Sequence, residues 1–216
     1  MSVESVLELI ATQTAAGKAT RKGDQDGVDE LVAQALADGA APSDVLDALV
    51  KGMGVVGDQF AAGKAFVPNM LLAARAMSKG MAHLKPYFSS GEVKRKGTFV
   101  VGTVFGDLHD IGKNLVAMTV EGNGWEVIDL GVDVKPEAFA AAVAEHPGAV
   151  VGLSALLTTT MVNMEKIIQT VRAAHPDTKV IVGGAPITQG FADQIGASGY
   201  APNPAGAVEL LASLAA

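Results

Sequence analysis

Apolar residues recur at helical spacing through the first 88 positions and cluster in short strand-like runs after residue 98. Val3, Val6, Leu7 and Ile10 form one stripe, and Val28, Leu31, Val32, Ala35 and Leu36 form a second. Gly39 closes that second segment and Pro42-Ser43-Asp44 opens a third. The third carries Val45, Leu46, Leu49, Val50, Met53 and Val56 and runs to Phe60. After the connection 63–67, Pro68 suits the first turn of a fourth helix, where its missing N–H is harmless. Met70, Ala73, Ala74, Met77, Met81 and Leu84 give this helix an apolar face. Four helices with short loops predict a small antiparallel bundle.

Residues 86–97 turn polar, with Pro86 and Gly97 at the two ends. This places a connection at 89–97, between a helical domain over 1–88 and a second domain over 98–216. Strands are expected at Phe99–Phe105, Glu126–Leu130, Ala149–Leu153 and Lys179–Val182, with a weaker fifth at Ser198–Ala201. Helices are expected at Gly112–Glu121, Pro136–Glu145, Thr160–Ala174, Thr188–Ile195 and Ala205–Ala215. Repeated βα units imply a parallel sheet covered on both faces. The fold class is therefore α/β, a four-helix bundle followed by a Rossmann-like (flavodoxin-like) doubly wound sheet. No Gly-x-Gly-x-x-Gly follows the first strand, which disfavours a dinucleotide site. There is no tandem repeat and no low-complexity segment.

The loop Gly106-Asp107-Leu108-His109-Asp110-Ile111-Gly112 joins the first strand to the next helix, where open α/β sheets present their ligand sites. It offers an imidazole with a carboxylate two residues before it. A neutral His nitrogen is a good transition-metal ligand, and the carboxylate can hold the opposite ring N–H. Alone, Asp-x-His arises often by chance, and a surface histidine and a turn aspartate are the bland readings. Downstream, Ser154-Ala155-Leu156 ends another strand-like run and Gly183-Gly184 a third. Glycines there let a backbone approach a ligand closely.

Asp107-x-His109-x-x-Gly112, Ser154-x-Leu156 and Gly183-Gly184 resemble, in order and spacing, the signature of cobalamin-binding domains. The resemblance continues through Asp110-Ile111-Gly112-Lys113-Asn114 and Asp129-Leu130-Gly131. It implies cobalamin as cofactor, bound base-off with His109 as the lower axial cobalt ligand and Asp107 orienting the ring. Thr160 stands where methionine synthase has a serine that extends the His–Asp pair. The same resemblance gives Ser154 a hydrogen bond to the displaced benzimidazole. It makes Leu156, Gly183 and Gly184 the lining of the tail slot, and Thr158, Ala185 and Asn203-Pro204 further tail positions. Gly106, Leu108, Asp110, Ile111 and Gly112 complete the loop beneath the corrin.

Gly52-Met53-x-x-Val56-Gly57-Asp58-x-Phe60-x-x-Gly63-Lys64-x-Phe66-Val67-Pro68 resembles the helical cap of methyl-carrying corrinoid proteins, including the cap-plus-cobalamin module of methionine synthase. Phe60 and Val67 match the two apolar residues that shield the upper face of the corrin; Val67 replaces a leucine. The implied protein is a corrinoid methyl carrier, inactive alone, that holds methylcobalamin in its loaded form. The implied partners are a substrate methyltransferase, an acceptor methyltransferase using tetrahydrofolate or a thiol, and a reductive activase. When cobalt(I) releases the axial base, His109 is free to take a proton that Asp107 stabilises.

Composition narrows the alternatives. The chain of 216 residues is 49% hydrophobic with a net charge of −7, which argues against nucleic acid as the main partner. Lys94-Arg95-Lys96 is its one basic cluster and reads as a solvated connection. The absence of cysteine excludes disulfides, Cys-ligated zinc and iron–sulfur clusters. No signal peptide or membrane-length apolar run is visible, so a soluble cytoplasmic protein is expected. His83, His146 and His175 match no motif, and the last two precede prolines at expected helix ends. An adenosylcobalamin mutase small subunit would share the Asp-x-His-x-x-Gly loop but lack the 60–68 segment. A cobalamin-based sensor would need a DNA-binding region, and a cofactor-free receiver would not need the Ser154 and Gly183-Gly184 register.

Overall fold

The computed structural model of the chain describes residues 2–91 and 93–215, the side chains of Ala61 and Ser89 excepted. Glu92, inside the expected connection, lies outside the described residues. The chain divides into two compact units, Met1–Arg95 with Gly122–Gly124, and Lys96–Glu121 with Trp125–Ala216.

The first unit holds helices α1 (Val3–Ala15), α2 (Val28–Ala37), α3 (Pro42–Ala61) and α4 (Val67–Ser89). Ser2 caps α1, its hydroxyl accepting the Ser5 amide at 3.3 Å. The Glu30 carboxylate reaches back to the Gly27 amide at 3.0 Å and fixes the start of α2. α1 packs on α3, α3 on α4, α4 on α2 and α2 on α1, closing a four-helix ring. The predicted stripes supply its core: Val6, Ile10, Leu31, Leu49, Met53 and Met77 are all buried.

One expectation changes here. The link 16–27 is a longer excursion than a short loop and contains an isolated antiparallel bridge between Lys22 and Gln25. α4 runs through Pro86 to Ser89, close to the expected end of the helical domain at 88. Pro86 lies in the final turn, where the lost N–H and the steric clash disturb little remaining helix. Arg95, from the basic cluster, stacks on the Phe88 ring with 4.9 Å to its centroid.

The second unit runs β1 (Thr98–Thr103), α5 (Ile111–Gly122), β2 (Glu126–Asp129), α6 (Pro136–Glu145), β3 (Val150–Ser154), α7 (Thr158–Met161), α8 (Asn163–Ala174), β4 (Val180–Gly183), α9 (Gln189–Gln194), β5 (Gly199–Ala201) and α10 (Pro204–Ala215). All strand pairings are parallel, in the order β2-β1-β3-β4-β5. Alternation along the strands splits the core in two. Val100, Val151 and Val182 pack with Phe139 and Ile167 from α6 and α8. Phe99, Val101 and Ile181 face the other way, toward Val120 of α5 and Leu211 of α10. Chain direction across the sheet reverses between β1 and β3, the switch point that opens a crevice beyond the strands' carboxyl ends. No helix among the described residues is long and apolar enough to cross a membrane.

The single helix expected at 160–174 is two, α7 and α8, with Val162 between them. Side-chain bonds on either side account for the break. Thr160 is drawn to Asp107, and Asn163 Nδ2 donates to the Phe105 carbonyl at 2.8 Å.

Candidate functional site

The loop after β1 is built around one buried carboxylate. Asp107 is 0% exposed. Its Oδ2 accepts the Thr160 hydroxyl at 2.7 Å and the Leu156 amide at 2.9 Å. Its Oδ1 faces His109 Nδ1 at 2.7 Å and accepts the His109 amide at 3.1 Å. Burial alone would raise the Asp107 pKa. The bonds from Thr160, Leu156 and His109 outweigh it and hold the carboxyl well below its ordinary range. An ionised acceptor at Oδ1 requires the proton on His109 Nδ1, which in the neutral ring leaves the lone pair on Nε2. The His109 side chain is 50% exposed, and Nε2 has no partner among the described residues.

The loop backbone is braced from two sides. Thr103, fully buried in β1, donates its hydroxyl to the His109 carbonyl at 2.8 Å. Asp133, after β2, accepts the Gly106 amide on Oδ1 at 2.7 Å and donates its own amide to the Asp107 carbonyl at 2.9 Å. Gly106 has φ +82°, a conformation that glycine adopts without cost. Asp133 has φ +54° with no such freedom. Sequence reasoning missed both braces. A lone threonine in an apolar strand was the only hint of Thr103, and nothing local marks Asp133. Lys113, 3% exposed, donates to Asp129 Oδ2 and to Asn114 Oδ1, which satisfies its buried charge.

Beside this loop lies a slot of about 300 Å³ between α5 and α10. Gly112, Ser154, Gly183, Gly184, Ala185 and Pro204 all line it, as does Asn203. Gly184 has φ +127°, and a Cβ there would stand 1.9 Å from the Ala155 carbonyl oxygen. Only glycine lets those two segments close up.

Thus the structure joins Asp107, His109, Thr160 and the Leu156 backbone in one network, and the glycines, Ser154, Ala185 and Pro204 in one slot. Leu108 and Ile111 flank the imidazole in sequence as exposed apolar side chains, and Asp110 accepts Asn114 Nδ2 at 3.2 Å. Thr158, at the start of α7, and Leu156, expected to line the tail slot, are both exposed and are not among the residues lining it. Phe60 and Val67 are half-buried residues of the helical unit, near the end of α3 and at the start of α4.

Among the described residues no group of three or more His, Asp or Glu could hold a metal ion. One outward imidazole cannot retain a bare ion. It suits a metal that arrives with its own equatorial ligands and leaves an axial position open. A flat macrocycle could rest on the apolar loop, with an appended tail entering the glycine-floored slot. The residues present fit a corrinoid.

Comparison with known proteins agrees. A B12 binding domain family matches residues 97–209, and a second family of that description matches residues 14–85. The chain is 41% identical over 194 residues to a corrinoid protein of Desulfitobacterium hafniense (strain Y51), across 87% of this chain and 90% of that one. Trimethylamine corrinoid protein 1 of Methanosarcina acetivorans is 41% identical over 182 residues, 82% of this chain and 84% of its own. The methanol:cobalamin methyltransferase complex of Methanosarcina barkeri contains a similar chain, with a TM-score of 0.82 at 32% identity, over 98% of this chain and 80% of that one. The chain belongs to the B12-binding corrinoid proteins, and its cofactor is a corrinoid.

Proposed function

We propose that this protein holds its corrinoid base-off, with His109 Nε2 as the lower axial ligand, and carries methyl groups between two methyltransferases. Bound there, the corrinoid supplies a cobalt centre that accepts and gives away a methyl group. The observation that carries the reading is the His109 ring. Its Nδ1 is tied at 2.7 Å to a fully buried carboxylate, and Nε2 is left free beyond the carboxyl ends of the strands.

Each residue then has a defined task. Asp107 fixes the tautomer and the orientation of the ring, and Thr160 and the Leu156 amide fix Asp107. Leu108, Asp110, Ile111 and the Gly106 and Gly112 backbone form the bed. Ser154, Gly183, Gly184, Ala185 and Pro204, which line the slot, hold the nucleotide tail; Leu156 and Thr158, outside its lining, are assigned to the tail by the resemblance alone. Phe60 and Val67 shield the upper face, and that assignment rests on the resemblance alone. The helical domain over 1–88 is the cap, joined by 89–97 to the corrinoid domain over 98–216.

The partners are a substrate methyltransferase, a tetrahydrofolate- or thiol-dependent acceptor methyltransferase, and a reductive activase. The names of the relatives make methylated amines the first donors to test and methanol the next; methyl ethers follow from the resemblance alone. Reconstituted protein would be mixed with each candidate methyltransferase and donor, and methylation followed by absorbance. Methylation with one cognate pair, absent without this protein, is expected. Retention of adenosylcobalamin together with support of a radical mutase partner would contradict the carrier reading.

A further inference from the structure

The slot between α5 and α10 changes character with depth. Strand register sets the levels. Ser154 pairs with Gly183 at the mouth, Gly152 pairs with Val101 and Ile181 one step further in, and Phe99 pairs with Val150 below that. Phe99 closes the bottom, since a Cβ at Gly152 would stand 2.3 Å from the Phe99 ring. The inner walls are Val101, Ile181, Leu115, Val116 and Ala207, all apolar. β1, β3 and β4 each have a hydrogen-bonded neighbour on both sides, so their backbone is already engaged, while β5, whose Tyr200 and Ala201 also line the slot, is an edge strand paired with β4 alone. Polar side chains gather at the mouth. Ser154 is there, with Asn203, whose Oδ1 accepts the Gly206 amide at 2.8 Å. Lys113 also lines the slot, but its ammonium is bound to Asp129 and Asn114.

We infer that this slot selects corrinoids by their lower base. It takes a base whose inner edge is hydrocarbon, a benzimidazole or a phenol, and discriminates against purines. The inference rests on the reading that the tail occupies the slot. A sugar-phosphate suits the polar mouth, and a methyl-bearing aromatic ring suits the walls below it. An adenine in the same place would bury its amino group and ring nitrogens among Phe99, Val101, Val116 and Ile181, whose side chains carry no donor or acceptor to pair them. Buried unpaired polar groups of this kind weaken binding by about 10- to 100-fold.

The test compares four corrinoids on the whole protein by absorbance titration: cobalamin, a cresol-bearing cobamide, an adenine-bearing cobamide, and cobinamide, which has no tail. Each Kd is corrected for the free corrinoid's own base-off equilibrium. Cobalamin and the cresol form are expected within about tenfold of each other, with the adenine form about 10- to 100-fold weaker than cobalamin and cobinamide also weaker. Adenine and benzimidazole forms binding equally, with cobinamide weaker, would overturn the selectivity and leave the tail in the slot. Cobinamide binding as tightly as cobalamin would overturn the tail reading itself. Val116→Thr adds a hydroxyl to the wall with little change of shape and is expected to narrow the adenine gap several-fold. An unchanged gap would remove the selectivity from this wall.

Discussion

Thr160 and Asp107 lie 53 residues apart in sequence, and the Thr160 hydroxyl donates to Asp107 Oδ2 across 2.7 Å. That bond ties the short helix after β3 to the histidine loop after β1, across the switch point of the sheet. With the Leu156 amide on the same oxygen and two His109 groups on the other, the carboxylate is surrounded by donors.

Asp107→Asn tests this network. An amide presents an NH₂ to one pair of donors and leaves buried groups unpaired, at a cost of about 1–3 kcal/mol. Denaturant unfolding of the corrinoid-free protein should register that loss. Thr160→Val should cost about 1 kcal/mol and Thr160→Ser much less, because serine keeps the hydroxyl. No loss for Val together with a clear loss for Ser would mean that packing of the methyl group, not the bond, is what matters.

Two glycines of the slot should separate folding from binding. Gly184→Ala would force a Cβ against the Ala155 carbonyl at positive φ, and is expected to destabilise the fold by roughly 2 kcal/mol or more. Gly112 meets no atom within 4 Å of a built Cβ and lies in α5. Gly112→Ala should therefore leave the fold intact or stabilise it by up to about 1 kcal/mol, while its methyl group weakens corrinoid binding. Melting curves with and without corrinoid distinguish the two.

Asp133 combines a positive φ with a side-chain bond to the loop. Asp133→Gly removes the strain and the bond together, so its net effect on stability should be small. Asp133→Ala keeps the strain and loses the bond, and is expected to cost about 1–2 kcal/mol. Asp133→Asn tolerates the backbone and retains an acceptor, and should behave like the parent. Amide exchange at Gly106 is the sharper readout, fast in Ala and Gly and slow in Asn.

Acid sensitivity of the helical unit should depend on Glu30. The backbone amide of Arg21 is the leading cause that lowers the Glu30 pKa; burial opposes it, and the Glu30 and Gly27 amides add to it. A carboxylate with a lowered folded-state pKa stabilises the native state above its unfolded value near 4.5. That contribution is lost as pH falls through the folded value. Glu30→Gln should therefore lower stability at neutral pH and flatten the acid limb of the stability profile, as circular dichroism would show. An unchanged acid limb would mean that the carboxylate contributes nothing there.

Sequence periodicity conveyed the element order because each helix and strand here buries one regular face, as Val6 and Ile10 or Phe99 and Val101 do. It failed where side-chain bonds override the pattern. The stretch from Thr160 reads as one amphipathic helix, yet bonds to Asp107 and Phe105 divide it. Gly112, Ser154, Gly183 and Gly184 could be picked out because together they resemble the cobalamin-binding signature, and the structure gathers them in one slot. Thr103 and Asp133 could not, since their partners are distant backbone groups that leave no local mark. Lys113 stood inside a recognised motif, but its burial against Asp129 follows from tertiary packing alone.

The central claim is that a protein imidazole, not the corrinoid's own base, occupies the lower axial position. Electron paramagnetic resonance of the cobalt(II) form tests it most directly, with the protein's histidines labelled with ¹⁵N and the corrinoid left unlabelled. The nitrogen superhyperfine splitting should change from triplet to doublet on labelling and vanish in His109→Ala. A triplet that survives labelling would show the benzimidazole still on cobalt, and base-off binding through His109 would be wrong.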